Sequence, residues 1–127
     1  MEDNNVNRSK PYAYEISGGT PLKGDIDISG SKNAALGIIA ASVMVDGPCT
    51  LENVPDISDV RVMFDLCRSL GAQVDEIDNH TFRIDPTTIN TYKASGPLVS
   101  KIRASYYLMG ALLARCGKAT SMLPGGR

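Results

Sequence analysis

The chain has 127 residues, of which 43% are apolar and 21% charged, and its formal net charge is −1. That composition fits one modest globular domain or part of a larger one, and it excludes a disordered chain, which would lack so much Val, Ile, Leu and Ala. Thirteen basic residues against 14 acidic ones leave no positive field for nucleic acid, and the longest apolar run, Ala34 to Val45, is too short to span a bilayer.

Residues 1–10 (MEDNNVNRSK) read as a disordered or appended tail. They lead into no apolar stretch, and Cys49, Cys67 and Cys116 are odd in number and far apart, as suits reduced thiols. The expected location is therefore cytoplasmic. Tyr12 to Ile16 predicts a short strand, and Asp25-Ile26-Asp27-Ile28-Ser29 alternates with the period of a strand wetted on one face. Gly30 breaks that strand, and Ser31 caps a helix from Lys32 to about Val45, stopped by Asp46-Gly47-Pro48. Cys49 to Val54 is again strand-like. A second helix opens after Pro55-Asp56, with Ile57, Val60, Phe64, Cys67 and Leu70 spaced by three and four, and Gly71 ends it.

Ala72 to Ile77 and Thr81 to Asp85 flank a hairpin turn, Asp78-Asn79-His80, in which His80 is a turn residue. A looser stretch, Pro86 to Pro97, precedes a long helix from about Leu98 to Cys116, stopped by Gly117. Its apolar stripe is Leu98, Ile102, Tyr106, Met109, Leu113 and Cys116, which makes Tyr106 a core residue and Cys116 a buried thiol; Tyr107 sits off the stripe, free to face a ligand. Lys118 to Leu123 predicts a last strand, followed by a Pro124-Gly125-Gly126-Arg127 loop.

Two features bear on architecture. Ser31-Lys32-x-x-Ala35 matches Ser100-Lys101-x-x-Ala104 at an offset of 69, and Gly47 with Thr50 matches Gly117 with Thr120 at 70. The first helix is apolar nearly all round and so asks to be buried, whereas the strands alternate and so keep one face in water. Helices inside and sheets outside satisfy that pattern; a two-layer α/β sandwich with an unusually apolar helix satisfies it as well.

The most informative segment for chemistry is Ser29-Gly30-Ser31-Lys32-Asn33. A small-residue turn there delivers a helix N-terminus, whose free amides and dipole attract anions, and Lys32 and Asn33 add a charge and an amide. A cation at that end opposes the dipole by about 0.3–1 kcal/mol, so Lys32 either waits for an anion or points to solvent. Lys101-Ile102-Arg103 opens the long helix, and the Arg103 fork either grips a carboxylate or diphosphate or pairs with a surface acid.

The run from Leu22 to Leu36 resembles the opening signature of the UDP-N-acetylglucosamine 1-carboxyvinyltransferases, a family of enolpyruvyl transferases. Glu52-Asn53-Val54-Pro55, Leu70-Gly71-Ala72, Ile102-Arg103-Ala104-Ser105 and Leu123-Pro124-Gly125-Gly126 extend the resemblance in order, from about Tyr14 to Gly126. It implies an inside-out α/β barrel of βαβαββ units, incomplete in this chain. Residues 11–21 would be a lead-in strand that packs with a second domain, and residues 22–127 a partial barrel whose uncovered helices expose apolar surface. The implied reaction moves the enolpyruvyl group of phosphoenolpyruvate onto the 3′-hydroxyl of UDP-N-acetylglucosamine, the first committed step of peptidoglycan synthesis, with no metal or organic cofactor. By resemblance, Lys32 and Asn33 bind phosphoenolpyruvate, Arg103 contacts the UDP-sugar, and Asp59 is an acid near the inter-domain cleft.

One departure stands out. Arg127 occupies the position after Pro-Gly-Gly where the family carries its general acid, a Cys or Asp, and a guanidinium stays protonated and cannot supply that proton. No catalytic residue is retained there, so the expectation is a truncated piece, inactive alone, whose partner is the remainder of the parent enzyme. The alternatives are a non-catalytic fragment or pseudoenzyme that binds a nucleotide sugar or anion without turning it over, and the shikimate-pathway synthase, a 3-phosphoshikimate enolpyruvyl transferase.

Overall fold

A computed structural model describes residues 13–123. The expected tail, Tyr12 and residues 124–127, Arg127 included, lie outside the described residues.

The first helix, α1 (Lys32–Ser42), starts where its cap predicts. Ser31 is extended, and its Oγ accepts from the Ala34 amide at 3.4 Å. α1 buries Ala35, Leu36, Ile39 and Ala40, but Gly37, Ala41 and Ile38 are exposed. The expectation of a helix buried all round therefore fails among the described residues: α2 and α3 cover one side of it only.

After β1 (Cys49–Leu51) comes α2 (Ser58–Ser69), with Asp59 in its first turn and Arg68 in its last, both favoured by the helix dipole. Val60, Met63, Phe64, Leu66 and Cys67 point inward. Gly71, at φ +102°, closes the helix as predicted: its amide donates to Arg68 O at 2.9 Å, and the Ala72 amide donates to Cys67 O at 3.1 Å. A Cβ at this position would lie 2.9 Å from Thr88 O. Gly71→Ala is accordingly expected to lower stability by about 1–3 kcal/mol, read as a lower urea midpoint at unchanged slope.

The hairpin forms as expected from β2 (Gln73–Asp78) and β3 (Thr81–Asp85), and β3 is the centre of an antiparallel sheet ordered β1-β3-β2. β3 alternates, sending Phe82 and Ile84 into the core, where Phe82 stacks on Phe64 with ring centroids 4.2 Å apart. His80 is a turn residue. Its amide donates to the Asp78 carboxylate at 2.7 Å, its Nδ1 lies 2.8 Å from Val54 O, and its carbonyl accepts from the Val54 amide.

Arg61 ties helix to sheet. It donates to Asp56 at 2.6 Å and forks onto Glu76 at 3.0 and 3.1 Å. These bonds hold the carboxyls of Asp56 and Glu76 below their ordinary range. A depressed carboxylate contributes stability that is complete above its unfolded value, about 4, and is lost as pH falls through the lower folded one. The thermal midpoint is thus expected to drop in acid below about pH 4, and Glu76→Gln should flatten that drop in a pH series of melts.

Several predicted elements are corrected. Residues 13–29 form no strand, and Ile16, Ile26 and Ile28 are 86%, 88% and 89% exposed. Alternation marks a face to be covered, but a strand also needs a neighbour for its N–H and C=O groups, and no described segment pairs with this one. The long helix is broken: Val99–Lys101 is a short 3₁₀ turn, Ile102 is extended and buried, and α3 runs only over Ser105–Cys116, up to Gly117. Ser105 Oγ donates to Val99 O and Ile102 O at 3.1 and 2.9 Å and secures the break. With the phase reset, α3 buries Ser105, Leu108, Ala111 and Leu112, while Tyr106, Met109, Leu113 and Cys116 are exposed. Finally, the stretch expected to be loose contains β4 (Lys93–Ala94), which pairs in parallel with β5 (Thr120–Ser121), all that forms of the predicted last strand.

The sequence repeat is realised in part. Ser31 caps a helix directly, whereas Ser100 lies in the 3₁₀ turn before α3, but Thr50 and Thr120 both sit in the strand after the helix.

Candidate functional site

Gly30 determines where α1 begins. A Cβ at this position would lie 1.9 Å from Asn53 O, so only glycine lets the chain pass this close before turning into the helix. Ser31 then satisfies the Ala34 amide, while the amides of Lys32 and Asn33 meet no protein acceptor among the described residues.

Lys32 and Asn33 stand on the rim of a concavity of about 490 Å³. Asp59 reaches it from the first turn of α2, and Lys101, Ile102 and Arg103 reach it from the segment before α3. Lys32, Asn33, Asp59 and Arg103, all singled out from sequence, share this one surface. The Lys32 ammonium forms an ion pair with the Asp59 carboxylate, the two side chains being 49% and 34% exposed. Lys32 therefore neither awaits an anion alone nor strays into solvent: a neighbouring helix supplies a carboxylate that offsets its position against the dipole. Three cations, Lys32, Lys101 and Arg103, still face one carboxylate, so the concavity keeps an excess of positive charge.

The far ends of the helices are joined as well. Arg115 of α3 donates to Val43 O and Val45 O, both at 3.1 Å, supplying the cation that the last turn of α1 lacks. With Arg103 beside Lys32 at one end and Arg115 beside Val43 at the other, α1 and α3 run side by side in the same sense. Their starting ends thus converge on the concavity, which suits a phosphate or carboxylate.

Tyr106 and Tyr107 also line this concavity, and both are about half exposed. Tyr107 is where its place off the stripe put it. Tyr106, expected in the core, is not, because α3 starts after Ile102 and carries its buried face on Leu108 and Leu112 instead. The two tyrosines separate the cationic concavity from an uncharged groove of about 470 Å³ between α1 and α3, lined by Gly37, Ala40, Ala41, Met44, Gly110 and Ala111.

The cysteines lie elsewhere. Burial pushes the Cys67 thiol up to about 12 and also raises Cys49, so neither is poised as a nucleophile. Cys116 is exposed at the end of α3, correcting the buried thiol expected there. Among the described residues no three His, Cys, Asp or Glu converge as a metal cluster would require, and no helix is long and apolar enough to cross a membrane.

Comparison with known proteins decides the family. The model for EPSP synthase (3-phosphoshikimate 1-carboxyvinyltransferase) matches residues 16–127. The chain belongs to this enolpyruvyl transferase family. A protein of Idiomarina loihiensis named UDP-N-acetylglucosamine 1-carboxyvinyltransferase is 47% identical over 113 residues, covering 89% of this chain and 27% of the relative. One of Caldanaerobacter subterraneus subsp. tengcongensis, named UDP-N-acetylglucosamine 1-carboxyvinyltransferase 3, is 40% identical over the same length and shares. Among solved structures, the enolpyruvyl transferase NikO from Streptomyces tendae superposes with a TM-score of 0.68 at 32% identity, over 79% of this chain and 23% of that one. The chain thus spans about a quarter of the length of the curated relatives it matches. Its fold is a partial α/β fold of the enolpyruvyl transferase type, as the sequence resemblance implies.

Proposed function

We propose that this chain is part of a cytoplasmic enolpyruvyl transferase that moves the enolpyruvyl group of phosphoenolpyruvate onto the 3′-hydroxyl of UDP-N-acetylglucosamine, releasing phosphate for peptidoglycan synthesis and hence cell-wall growth and division. The observation that carries this reading is the convergence of Lys32, Asn33 and Arg103, from separate parts of the chain, on one concavity with excess positive charge. Relatives at 40–47% identity bear the name of that activity.

In this reading Lys32, Asn33 and the free amides beside them hold phosphoenolpyruvate through charge-assisted hydrogen bonds. Arg103 meets the diphosphate of the UDP-sugar with its planar fork. The 3′-oxygen bonds to C2 as its hydroxyl proton passes to a base supplied by the remainder of the enzyme, and the electrons of the C2–C3 double bond take up a proton at C3. Phosphate then leaves C2 with the bonding pair as C3 returns a proton, and the cations stabilise the charge gathering on the departing phosphate. By resemblance the proton donor to C3 belongs directly after Pro124-Gly125-Gly126, and Arg127 cannot serve there, because its guanidinium holds its proton at neutral pH. The 127-residue chain is therefore expected to bind both substrates without turning them over.

Calorimetric titration tests the reading. Saturable binding of UDP-N-acetylglucosamine and none of shikimate 3-phosphate is the expected result. Binding of shikimate 3-phosphate alone would transfer the chain to the shikimate-pathway branch of the family. Phosphate release above background from the isolated chain would overturn the inactivity expected of it.

A further inference from the structure

The one acidic side chain in the cationic concavity stands where a bound anion would be repelled, and its contacts give it a different task. Asp59 lies in the first turn of α2, where the dipole favours a carboxylate, and its ion pair with Lys32 crosses from one helix to the next. Lys32 lies in the first turn of α1, where the dipole disfavours a cation, on a flexible four-carbon stem. Left alone, that ammonium would swing outward into water. An ammonium carries three donors, so one held by Asp59 leaves two to face the concavity.

We propose that Asp59 is a positioning residue: it makes no contact with the anion but fixes the Lys32 ammonium so that its remaining donors meet phosphoenolpyruvate. The inference rests on the reading of this concavity as the seat of phosphoenolpyruvate, and it gives Asp59 a role opposite to that of a substrate contact.

The sign of one measurement separates positioning from mere charge. If Asp59 acts only through its field, Asp59→Asn removes a repulsive charge and phosphoenolpyruvate binds more tightly. If it positions Lys32, the same substitution weakens binding although the site becomes more positive. The experiment is equilibrium titration of the 127-residue chain with phosphoenolpyruvate for the wild type, Asp59→Asn, Asp59→Glu, Lys32→Ala and the double variant Lys32→Ala/Asp59→Asn, with circular dichroism to follow folding. The expected result is about tenfold weaker binding for Asp59→Asn, as for loss of one well-aligned charge-assisted bond. Asp59→Glu, which keeps the carboxylate, should recover part of the affinity. With Lys32 already replaced, Asp59→Asn should weaken binding no further. Unchanged or tighter binding by folded Asp59→Asn would overturn the proposal and leave Asp59 a structural partner. If Asp59→Asn does not fold, equal affinity of Asp59→Glu and Lys32→Ala would overturn it in the same way. Absence of saturable binding by the wild type would instead remove the reading of the site, and the proposal with it.

Discussion

Phe64→Ala is expected to cost about 3–5 kcal/mol, the largest effect of any single truncation proposed for this chain. Phe64 and Phe82 are 1% and 2% exposed, and their stacked rings join α2 to the central strand of the sheet. Removing one ring loses both its transfer from water and the contacts of its partner, which cannot follow because the β1-β3-β2 ladder holds it in place. Domains of this kind have about 5–15 kcal/mol in total, and here one side of α1 and α3 is uncovered. Phe64→Ala should therefore leave little or no cooperative unfolding transition at 25 °C. An unfolding free energy in urea lowered by less than about 1 kcal/mol at unchanged slope would show that α2 and the sheet do not depend on this contact.

Lys32→Ala carries the largest expected effect on binding. A charge-assisted hydrogen bond contributes about 1.5–3 kcal/mol, so affinity for phosphoenolpyruvate should fall by roughly 10- to 100-fold. Stability should barely change, since removing the cation from the first turn of α1 offsets loss of a partly exposed ion pair with Asp59. Arg103→Ala is expected to weaken UDP-N-acetylglucosamine more than phosphoenolpyruvate. Equal losses for both ligands in both variants would contradict the division of the concavity into two seats.

What was legible in the sequence was what is decided locally. Ser31 caps α1, Gly71 ends α2 and Asp78-Asn79-His80 turns the hairpin, because each depends on atoms a few residues away. Elements that depend on distant partners were misread. The alternation of Asp25 to Ser29 is real, but no described segment pairs with it as a strand. The stripe from Leu98 to Cys116 spanned two short elements with different phases, and the break at Ile102 is fixed by the Ser105 hydroxyl rather than by a glycine or proline. That misplaced Tyr106 in the core. The site divides in the same way. Lys32 and Asn33 declared themselves as a helix start with a displaced charge, whereas Arg103 looked like any surface arginine until its motif resembled a family. The Lys32–Asp59 pair, which joins two helices, had no local signal at all.

The most direct test of the central claim, that the first turn of α1 and the residues before α3 line one concavity with a seat for each substrate, is an amide NMR titration of the 127-residue chain with phosphoenolpyruvate and, separately, with UDP-N-acetylglucosamine. Saturable shifts are expected at Ser31 to Ala34 with phosphoenolpyruvate and at Arg103 to Tyr107 with UDP-N-acetylglucosamine, with the β2-β3 hairpin unmoved by either. Phosphoenolpyruvate shifts that spare Lys32 and Asn33, or UDP-N-acetylglucosamine shifts that spare Arg103, would contradict it.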